Sequence, residues 1–215
     1  MPTVHGAPLS PFVRKVLVTL EMKGIAYDLN PVVPMNLPAE FYEMSPLGKI
    51  PAYEDARVRV SDSSVICQYL EDAYPEPAVY PADIADRAQA RWLEEYADTK
   101  LIEVTGPPLF FERVVKPRFL AQETDEERVR DNLENALPPV MDYLDKVAPE
   151  RGFLLGDFGI ADIAIGSPLV NARFARFEVD AGRWPKLAQY VERTLNHELF
   201  RNRLAAEADF MQQWQ

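Results

Sequence analysis

The sequence contains few of the residues that build disulfides and metal sites. Cys67 is the single cysteine among 215 residues, so the chain cannot form an internal disulfide, and one thiol is typical of a reducing compartment. The two histidines are His5 and His197, which leaves little scope for a zinc site or a serine–histidine triad. Because no clustered aspartate motif is visible either, we expect no metal cofactor.

Basic surface and long apolar runs are also scarce. The net charge is −11, and the acidic excess is present in both the first 80 residues and the remainder, which argues against a nucleic-acid partner. Apolar stretches such as Val16–Leu20 are too short to cross a bilayer. The opening residues, MPTVHGAPLS, lack the basic start and apolar core of a signal peptide. We therefore expect a cytoplasmic protein without a nucleic-acid or membrane partner.

The first 80 residues alternate short strand and helix patterns. PTVHG and AYDLNPVV predict strands on either side of a helix that starts at Pro11 and stops at Gly24. PAYED and VRVSD predict a hairpin, and SSVICQYLEDAYP predicts a second helix. The polar face expected for the first helix consists of Arg14, Lys15, Thr19 and Glu21. The apolar face expected for the second helix consists of Val65, Ile66, Tyr69, Leu70 and Ala73.

The remainder of the chain is predicted to be helical. Residues 74–83, YPEPAVYPAD, carry three prolines without periodicity and are typical of an inter-domain linker. Beyond them, helical spacing recurs near residues 83–115, 124–148, 160–174 and 184–206. We expect an α/β domain over residues 1–77 and an all-helical domain over residues 84–215.

Ser10 stands directly before Pro11, an arrangement typical of a helix start, with serine at the N-cap. Two chemical roles are compatible with this position. A nucleophilic serine needs a base, and the neighbouring candidate, His5, precedes a Gly-Ala-Pro loop. A hydrogen-bond donor to the nucleophile of a ligand needs only the hydroxyl and the free N–H groups of the helix N-terminus.

Two further stretches point to ligand contacts. Asp62 and Ser63 follow a predicted strand and precede a predicted helix, so they either cap the helix or bind a carboxylate. Ile50-Pro51 lies just before a strand, where a cis peptide bond is plausible.

In this order and spacing, GAPLSPFVRKV, SPLGKIPAYED, SDSSVICQYL and GIADIAIGSPLV resemble the cytosolic glutathione S-transferase family. The resemblance covers nearly the whole chain and is more specific in its first part. The members that the sequence resembles are the serine-type proteins of the theta-, phi- and zeta-like classes, and the sequence looks bacterial. It implies a thioredoxin-like domain (βαβ, then ββα), a C-terminal helical bundle and a homodimer.

The resemblance also implies roles for individual residues. It directs the Ser10 hydroxyl at the glutathione sulfur, pairs the backbone of Ile50 with the cysteinyl part and makes Pro51 the cis-proline. Asp62 and Ser63 would hold the γ-glutamyl end of glutathione. Asn36 and Lys49 fall where some classes contact the glycine carboxylate, and Lys49 would supply a positive charge that an acidic protein needs there.

A second set of residues has less specific implications. The pocket for a hydrophobic electrophile is expected to involve Pro8, Leu9, Phe12, Phe110 and Phe111, although the two later phenylalanines also fit a core position. Cys67 is interpreted as a packing or dimer-facing residue, and Asp98 as a residue that approaches the partner's glutathione in some classes. Gly159 replaces the Ser or Thr of the family's capping motif, which leaves Asp162 half of a capping box.

The function implied is conjugation of glutathione to small electrophiles, with glutathione as co-substrate and no metal. Two alternatives stay open at this point. One is glutathione-dependent peroxide reduction, disulfide reduction or isomerisation on the same fold. The other is a non-catalytic ligand-binding or interaction protein. The presence together of Ser10, Ile50-Pro51 and Asp62-Ser63 favours a working glutathione site over the non-catalytic alternative.

Overall fold

The computed structural model describes residues 1–34 and 37–212. The chain divides into two compact units, the first made of residues 1–83 with the residues from 197 onward, and the second of residues 84–196. The predicted domains, residues 1–77 and 84–215, meet near the same point, but the prediction assigned all later residues to the helical domain. The C-terminal helix instead groups with the first unit, because it packs on the first helix of the chain.

The first unit contains a mixed sheet in which β1 is parallel to β2 and antiparallel to β3, and β4 is antiparallel to β3. The parallel pair needs a crossover, and α1 provides it. The predicted strand–helix–strand and strand–strand–helix order is confirmed, and the short helix α2 was not foreseen. The elements are β1 (Thr3–His5), α1 (Pro11–Met22), β2 (Asp28–Asn30), α2 (Phe41–Met44), β3 (Ala52–Glu54), β4 (Arg59–Ser61) and α3 (Ser63–Ala73).

The second unit is helical, as predicted. Its α-helices are α4 (Ile84–Tyr96), α5 (Ile102–Thr105), α6 (Lys116–Phe119), α7 (Glu126–Asp131), α8 (Leu137–Val147), α9 (Ile160–Phe174) and α10 (Pro185–Leu195). Three π-helical segments connect some of them: Ala97–Leu101, Gly106–Val115 and Asn132–Ala136. Prolines lie within or just after two of these segments, and their missing N–H groups interrupt regular α-helical bonding there.

The predicted helix over residues 184–206 is two helices. The chain turns at Asn196 and His197, after which α11 (Glu198–Gln212) returns to the first unit. Helical periodicity continues across the turn, and for that reason the sequence pattern did not reveal the break.

Helix α1 is buried on all sides rather than on one face. Arg14 is 0%, Lys15 1% and Thr19 0% exposed, although the sequence pattern placed them on a solvated polar face. The reason is that α1 contacts both α3 and α11, so neighbours cover the face that periodicity assigned to water. At the C-terminus of α1, Gly24 adopts φ +64, and the N–H of Ile25 donates to the Leu20 carbonyl to close the helix.

The orientation of α3 also differs from the expectation. Its buried residues include Ile66, Cys67 and Leu70, whereas Val65 is 49% exposed. Cys67 packs against α1, where its Sγ lies 3.4 Å from Thr19 Oγ1. The thiol is therefore a packing residue inside the first unit, and its burial removes it from the surface on which a partner subunit could bind.

Residues 74–83 contain no helix or strand, in agreement with the linker prediction, but their first part is held against the first unit. The buried Lys23 Nζ donates to Glu71 Oε2 (2.7 Å) and to the carbonyl oxygens of Tyr74 (2.6 Å) and Pro77 (3.0 Å). Glu71 in turn accepts from the backbone N–H of Val79. Charge-assisted bonds therefore fix this stretch where it leaves α3.

Asp162 organises the start of α9 in the second unit. Its Oδ2 accepts from the Gly159 N–H (3.1 Å), and its Oδ1 accepts from the Leu154 N–H (3.1 Å) and the Tyr190 hydroxyl (2.8 Å). The Gly159 bond is the half capping box that the sequence predicted. Burial raises the pKa of Asp162, and these hydrogen bonds oppose that shift.

We expect Asp162→Ala to lower the free energy of unfolding by at least about 2 kcal/mol, because buried donors that lose their acceptor cost about 1–3 kcal/mol each. Urea denaturation of the full chain measures this, with the exposed Asp157→Ala as the matched control. Because the folded-state pKa of Asp162 is raised, the part of the stability that depends on its protonation is present at low pH and is lost as the pH rises through that pKa, while the hydrogen bonds that its oxygens accept remain. Asp162→Asn should lack this pH dependence. If Asp162→Ala and Asp157→Ala are equally stable, Asp162 does not organise the start of α9.

Candidate functional site

Backbone pairing brings three loop segments to one edge of the sheet. His5, the last residue of β1, pairs with Ala52, the first residue of β3, and Ala52 pairs with Ser61, the last residue of β4. The name site edge is used below for the side of the sheet formed by the strand ends beyond this row, namely the C-terminal ends of β1 and β4 and the N-terminal end of β3. The chain segments adjoining it contain Ser10, Ile50-Pro51 and Asp62-Ser63. The register thus places most of the expected glutathione-binding residues next to a single row of backbone pairs.

Ser10 is the N-cap of α1, with Pro11 at the first helical position. Its Oγ accepts from the Val13 N–H at 3.4 Å, a long bond, and its carbonyl accepts from the Arg14 N–H at 2.8 Å. A hydroxyl can accept and donate at the same time. Ser10 can therefore cap α1 and still donate its proton to an anion at the site edge.

The loop that carries Ser10 lies directly on α1. A Cβ atom at Gly6 would stand 2.5 Å from Val13 Cγ2, so a side chain at this position would push the loop away from the helix. Pro8 and Leu9 are buried, and Phe12 is half-buried. Close packing of the backbone on α1 therefore fixes the position from which Ser10 emerges.

Ser45 holds the loop before β3 and was not identified from the sequence. It is 0% exposed, its hydroxyl donates to the Lys49 carbonyl (2.7 Å), and it accepts from the Lys49 N–H (3.2 Å). Gly48 adopts φ +62, where a Cβ would lie 2.9 Å from Tyr42 Cε1. Together these features define the backbone that leads into Ile50.

Ile50 lies just outside the paired part of the sheet, because the ladder begins at Ala52. The Ile50-Pro51 peptide bond is cis, as the sequence suggested, and a second cis bond occurs at Glu76-Pro77. Ile50 precedes the first paired residue of β3 by two positions, so its N–H and carbonyl lie outside the ladder between β1 and β3. An extended peptide can pair with such a backbone as an additional short strand.

Asp62 joins β4 to α3 in an unusual conformation. It has φ +84 although it is not glycine, and its Oδ1 accepts from the N–H groups of Ser64 (3.0 Å) and Val65 (3.1 Å). Such backbone strain is concentrated at ligand sites. Because both bonds use Oδ1, Oδ2 can accept from a ligand ammonium group. Ser63, 5% exposed, is the first residue of α3.

Several groups give the site edge a positive electrostatic potential, although the protein as a whole is acidic. Helices α1 and α3 both begin there, and a helix N-terminus attracts negative charge through its free N–H groups. Lys15 is buried in α1, and its Nζ donates to Ser64 Oγ at 3.0 Å, in the first turn of α3. Lys49 is exposed on the loop before β3. The local charge therefore suits an anionic ligand despite the net charge of −11.

His5 is engaged by the strands on either side of β1. Its Nδ1 lies 3.0 Å from the Asn30 side-chain amide, and its Nε2 lies 3.1 Å from Glu54 Oε1. Since the amide donates, Nδ1 accepts and Nε2–H donates to the carboxylate. A hydrogen bond from Arg59 is the main cause that lowers the pKa of Glu54. With both ring nitrogens engaged, His5 is not available as a base for Ser10.

The other expected site residues are distributed as follows. Phe110 and Phe111 are half-buried in the π-helical segment Gly106–Val115 of the second unit, and their membership in an electrophile pocket stays a prediction. Asn36 lies outside the described residues. Asp98 lies in the π-helical segment Ala97–Leu101, and its role toward a partner subunit also stays a prediction.

Neither a metal-binding cluster nor a membrane-spanning helix is found in the described part of the chain. Among residues 1–34 and 37–212, no group of three or more His, Cys, Asp or Glu side chains is arranged to hold a metal ion. No helix in the same part of the chain is long and apolar enough to cross a membrane.

Comparison with known proteins gives consistent matches over both units. Residues 4–78 match the family model described as glutathione S-transferase, N-terminal domain, and residues 126–193 match that of the C-terminal domain. A glutathione S-transferase from Hyoscyamus muticus is 30% identical over 172 residues, which cover 74% of this chain and 77% of the relative. Glutathione S-transferase Z2 from Arabidopsis thaliana is 28% identical over 188 residues, which cover 83% of this chain and 79% of the relative.

Solved structures agree with these matches. The crystal structure of a glutathione S-transferase from Rhodospirillum rubrum F11 superimposes with a TM-score of 0.84 at 27% identity. The superposition covers 95% of this chain and 92% of that chain.

Proposed function

Because the chain belongs to the glutathione S-transferase family, we propose that it binds glutathione at the site edge and conjugates it to small hydrophobic electrophiles. The observation that supports the proposal is the row of pairs from His5 to Ser61, which adjoins the segments with the candidate residues and the N-termini of α1 and α3. The proposed glutathione contacts are Ser10, Asn36, Lys49, Ile50, Pro51, Asp62 and Ser63.

The two ends of glutathione carry different charges, and the site edge offers a partner for each. Asp62 Oδ2 would accept from the γ-glutamyl ammonium group, while the Ser63 hydroxyl and the N-terminus of α3 would bind the adjacent carboxylate. The backbone of Ile50 would pair with the cysteinyl peptide group. Lys49, and Asn36 outside the described residues, would face the glycine carboxylate.

Ser10 would stabilise the sulfur as a thiolate. An unperturbed thiol has a pKa of about 8.5, and lowering it by about 2 corresponds to about 2.7 kcal/mol. One charge-assisted hydrogen bond from the Ser10 hydroxyl and the N-terminus of α1 can supply a free energy of this size. The engagement of His5 by Asn30 and Glu54 supports the donor role for Ser10 over a nucleophilic one.

The thiolate would then attack an electrophilic carbon. A sulfur lone pair forms the new C–S bond, and the electron pair of the bond that breaks leaves with the displaced group. Pro8, Leu9 and Phe12 would line an apolar pocket beside Ser10. In this mechanism Ser10 is never covalently modified.

Conjugation is favoured over thiol transfer by the residue at the start of α1. Thiol transfer through the protein would need a cysteine there, and the single cysteine, Cys67, is 0% exposed against α1. Glutathione binding measured by calorimetry tests the proposal first. A panel of aryl halides, hydroperoxides, disulfides and isomerisable substrates then tests the reaction type. Absence of glutathione binding would refute the proposed function.

We expect Ser10→Ala to retain glutathione with similar affinity, because most contacts lie elsewhere, and to reduce turnover by about tenfold to a thousandfold, the range for losing one anion-stabilising donor. An ultraviolet titration of the bound thiolate should show a higher thiol pKa in this variant than in the wild type.

Ser10→Gly separates donation from capping. Glycine at the N-cap costs only a few tenths of a kcal/mol of helix stability but also lacks the hydroxyl. Both variants should therefore share the raised thiol pKa, and Ser10→Thr should retain most activity. If the wild-type and Ser10→Ala titration curves coincide, Ser10 is only a helix cap.

We expect Ser63→Ala to weaken glutathione binding by about 1–3 kcal/mol, because the ligand carboxylate loses a hydrogen-bond partner. Titration calorimetry measures this change in the dissociation constant. Ser61→Ala, at the last paired residue of β4, is the matched control and should bind like the wild type. Equal affinity of Ser63→Ala and the control would remove Ser63 from the site.

We also propose a symmetric homodimer, since the family commonly forms dimers. Val65 and Tyr74, at the two ends of α3, are 49% and 39% exposed and provide apolar surface for an interface. Sedimentation should give a dimer at micromolar concentration, with an interface of more than about 1,000 Å². Val65→Glu should shift it toward the monomer. A monomeric wild type would contradict the proposal.

A further inference from the structure

A buried ion pair joins the C-terminal helix to α1. Arg14 Nε donates to Glu207 Oε1 at 2.8 Å, and Arg14 Nη2 donates to Glu207 Oε2 at 2.6 Å. Both side chains are 0% exposed. The pair is bidentate, and neither residue has a part in the glutathione contacts proposed above.

A second set of bonds joins α11 to the other end of α1. Arg203 Nη1 donates to Glu21 Oε1 (3.2 Å) and to the Tyr27 hydroxyl (3.1 Å), and Tyr27 donates to Glu21 Oε1 (2.7 Å). Burial and the neighbouring Glu21 raise the pKa of Tyr27, which keeps this hydroxyl protonated as a donor. Helix α11 thus holds α1 near its first turn through Arg14 and near its last turn through Glu21.

Arg14, which binds Glu207, also belongs to the helical turn that begins at Ser10. The Arg14 N–H donates to the Ser10 carbonyl at 2.8 Å, which is the first backbone bond of α1. The residue that binds Glu207 is therefore also hydrogen-bonded through its own backbone to the N-cap residue. Asp62, Ser63 and Ile50 belong to other segments and do not depend on this turn.

A bidentate arginine–carboxylate pair restricts both distance and angle. Burying two charges costs desolvation, so such a pair is weak as a source of stability and is better explained by the geometry that it imposes. A small displacement of a catalytic group lowers the rate more than it lowers binding.

We propose that Glu207 and Arg14 are positioning residues that fix the Ser10 hydroxyl relative to the glutathione sulfur. The C-terminal helix thereby sets the acidity of the bound thiol without touching the ligand. This inference rests on the proposed function of Ser10.

The test is Glu207→Gln, which keeps the shape of the side chain and removes its charge. With glutathione and a chlorodinitrobenzene as substrates, we expect kcat to fall about threefold to tenfold and the pKa of the bound thiol to rise. KM for glutathione should stay within about twofold. If Glu207→Gln does not fold, Glu207→Asp, which keeps the charge and disrupts the bidentate geometry, is measured in the same way.

Glu21→Gln is the matched control, because it is the same substitution and weakens the bonds from Arg203 and Tyr27 at the end of α1 that is remote from Ser10. It should lower the melting temperature and leave the thiol pKa unchanged. A thiol pKa in Glu207→Gln equal to that of the wild type would overturn the inference while the proposed function stands. A wild type that binds no glutathione would overturn both.

Discussion

The candidate site depends on the register of one row of backbone pairs. His5, Ala52 and Ser61 face one another across three strands, and the segments proposed to bind the ligand begin or end next to them. A slip of one residue between two strands would move a segment by about 3.3 Å and turn its side chains to the other face. Because every strand here is three residues long, the elements packed around the sheet must help to secure the register, and α3 and α2 both contact β4.

The same arrangement explains how an acidic protein can hold an anionic ligand. Strands β1 and β4 both run antiparallel to β3, so the helices that follow them, α1 and α3, begin at the same edge. Their N-termini and the buried Lys15 concentrate positive potential where the remainder of the chain is negative. The field at the site therefore follows from topology rather than from net charge.

Local patterns were sufficient to predict much of the fold and the turns of the site. Ser10-Pro11, Gly24 and the Asp62 cap are signals contained within a few residues, and the structure has each of them. The polar face of α1 was misassigned because periodicity describes one helix and contains no information on what covers it. Glu207 lies 193 residues from Arg14, and no pattern near either residue indicates the other. The chemistry of Ser45 was equally hidden, since its partner is the backbone of Lys49.

Helix α1 illustrates why charged residues occur in the interior of this unit. Apolar contacts alone could hold α11 and α3 against α1, but the hydrophobic effect is non-directional and permits sliding or rotation. Arg14 and Lys15 each donate to a defined oxygen on a neighbouring helix, Glu207 on α11 and Ser64 on α3. Each bond constrains the rotation of α1 about its axis, and together they constrain it from two sides. The role proposed for Ser10, the N-cap of α1, requires that constraint, and the desolvation of two buried cations is its cost.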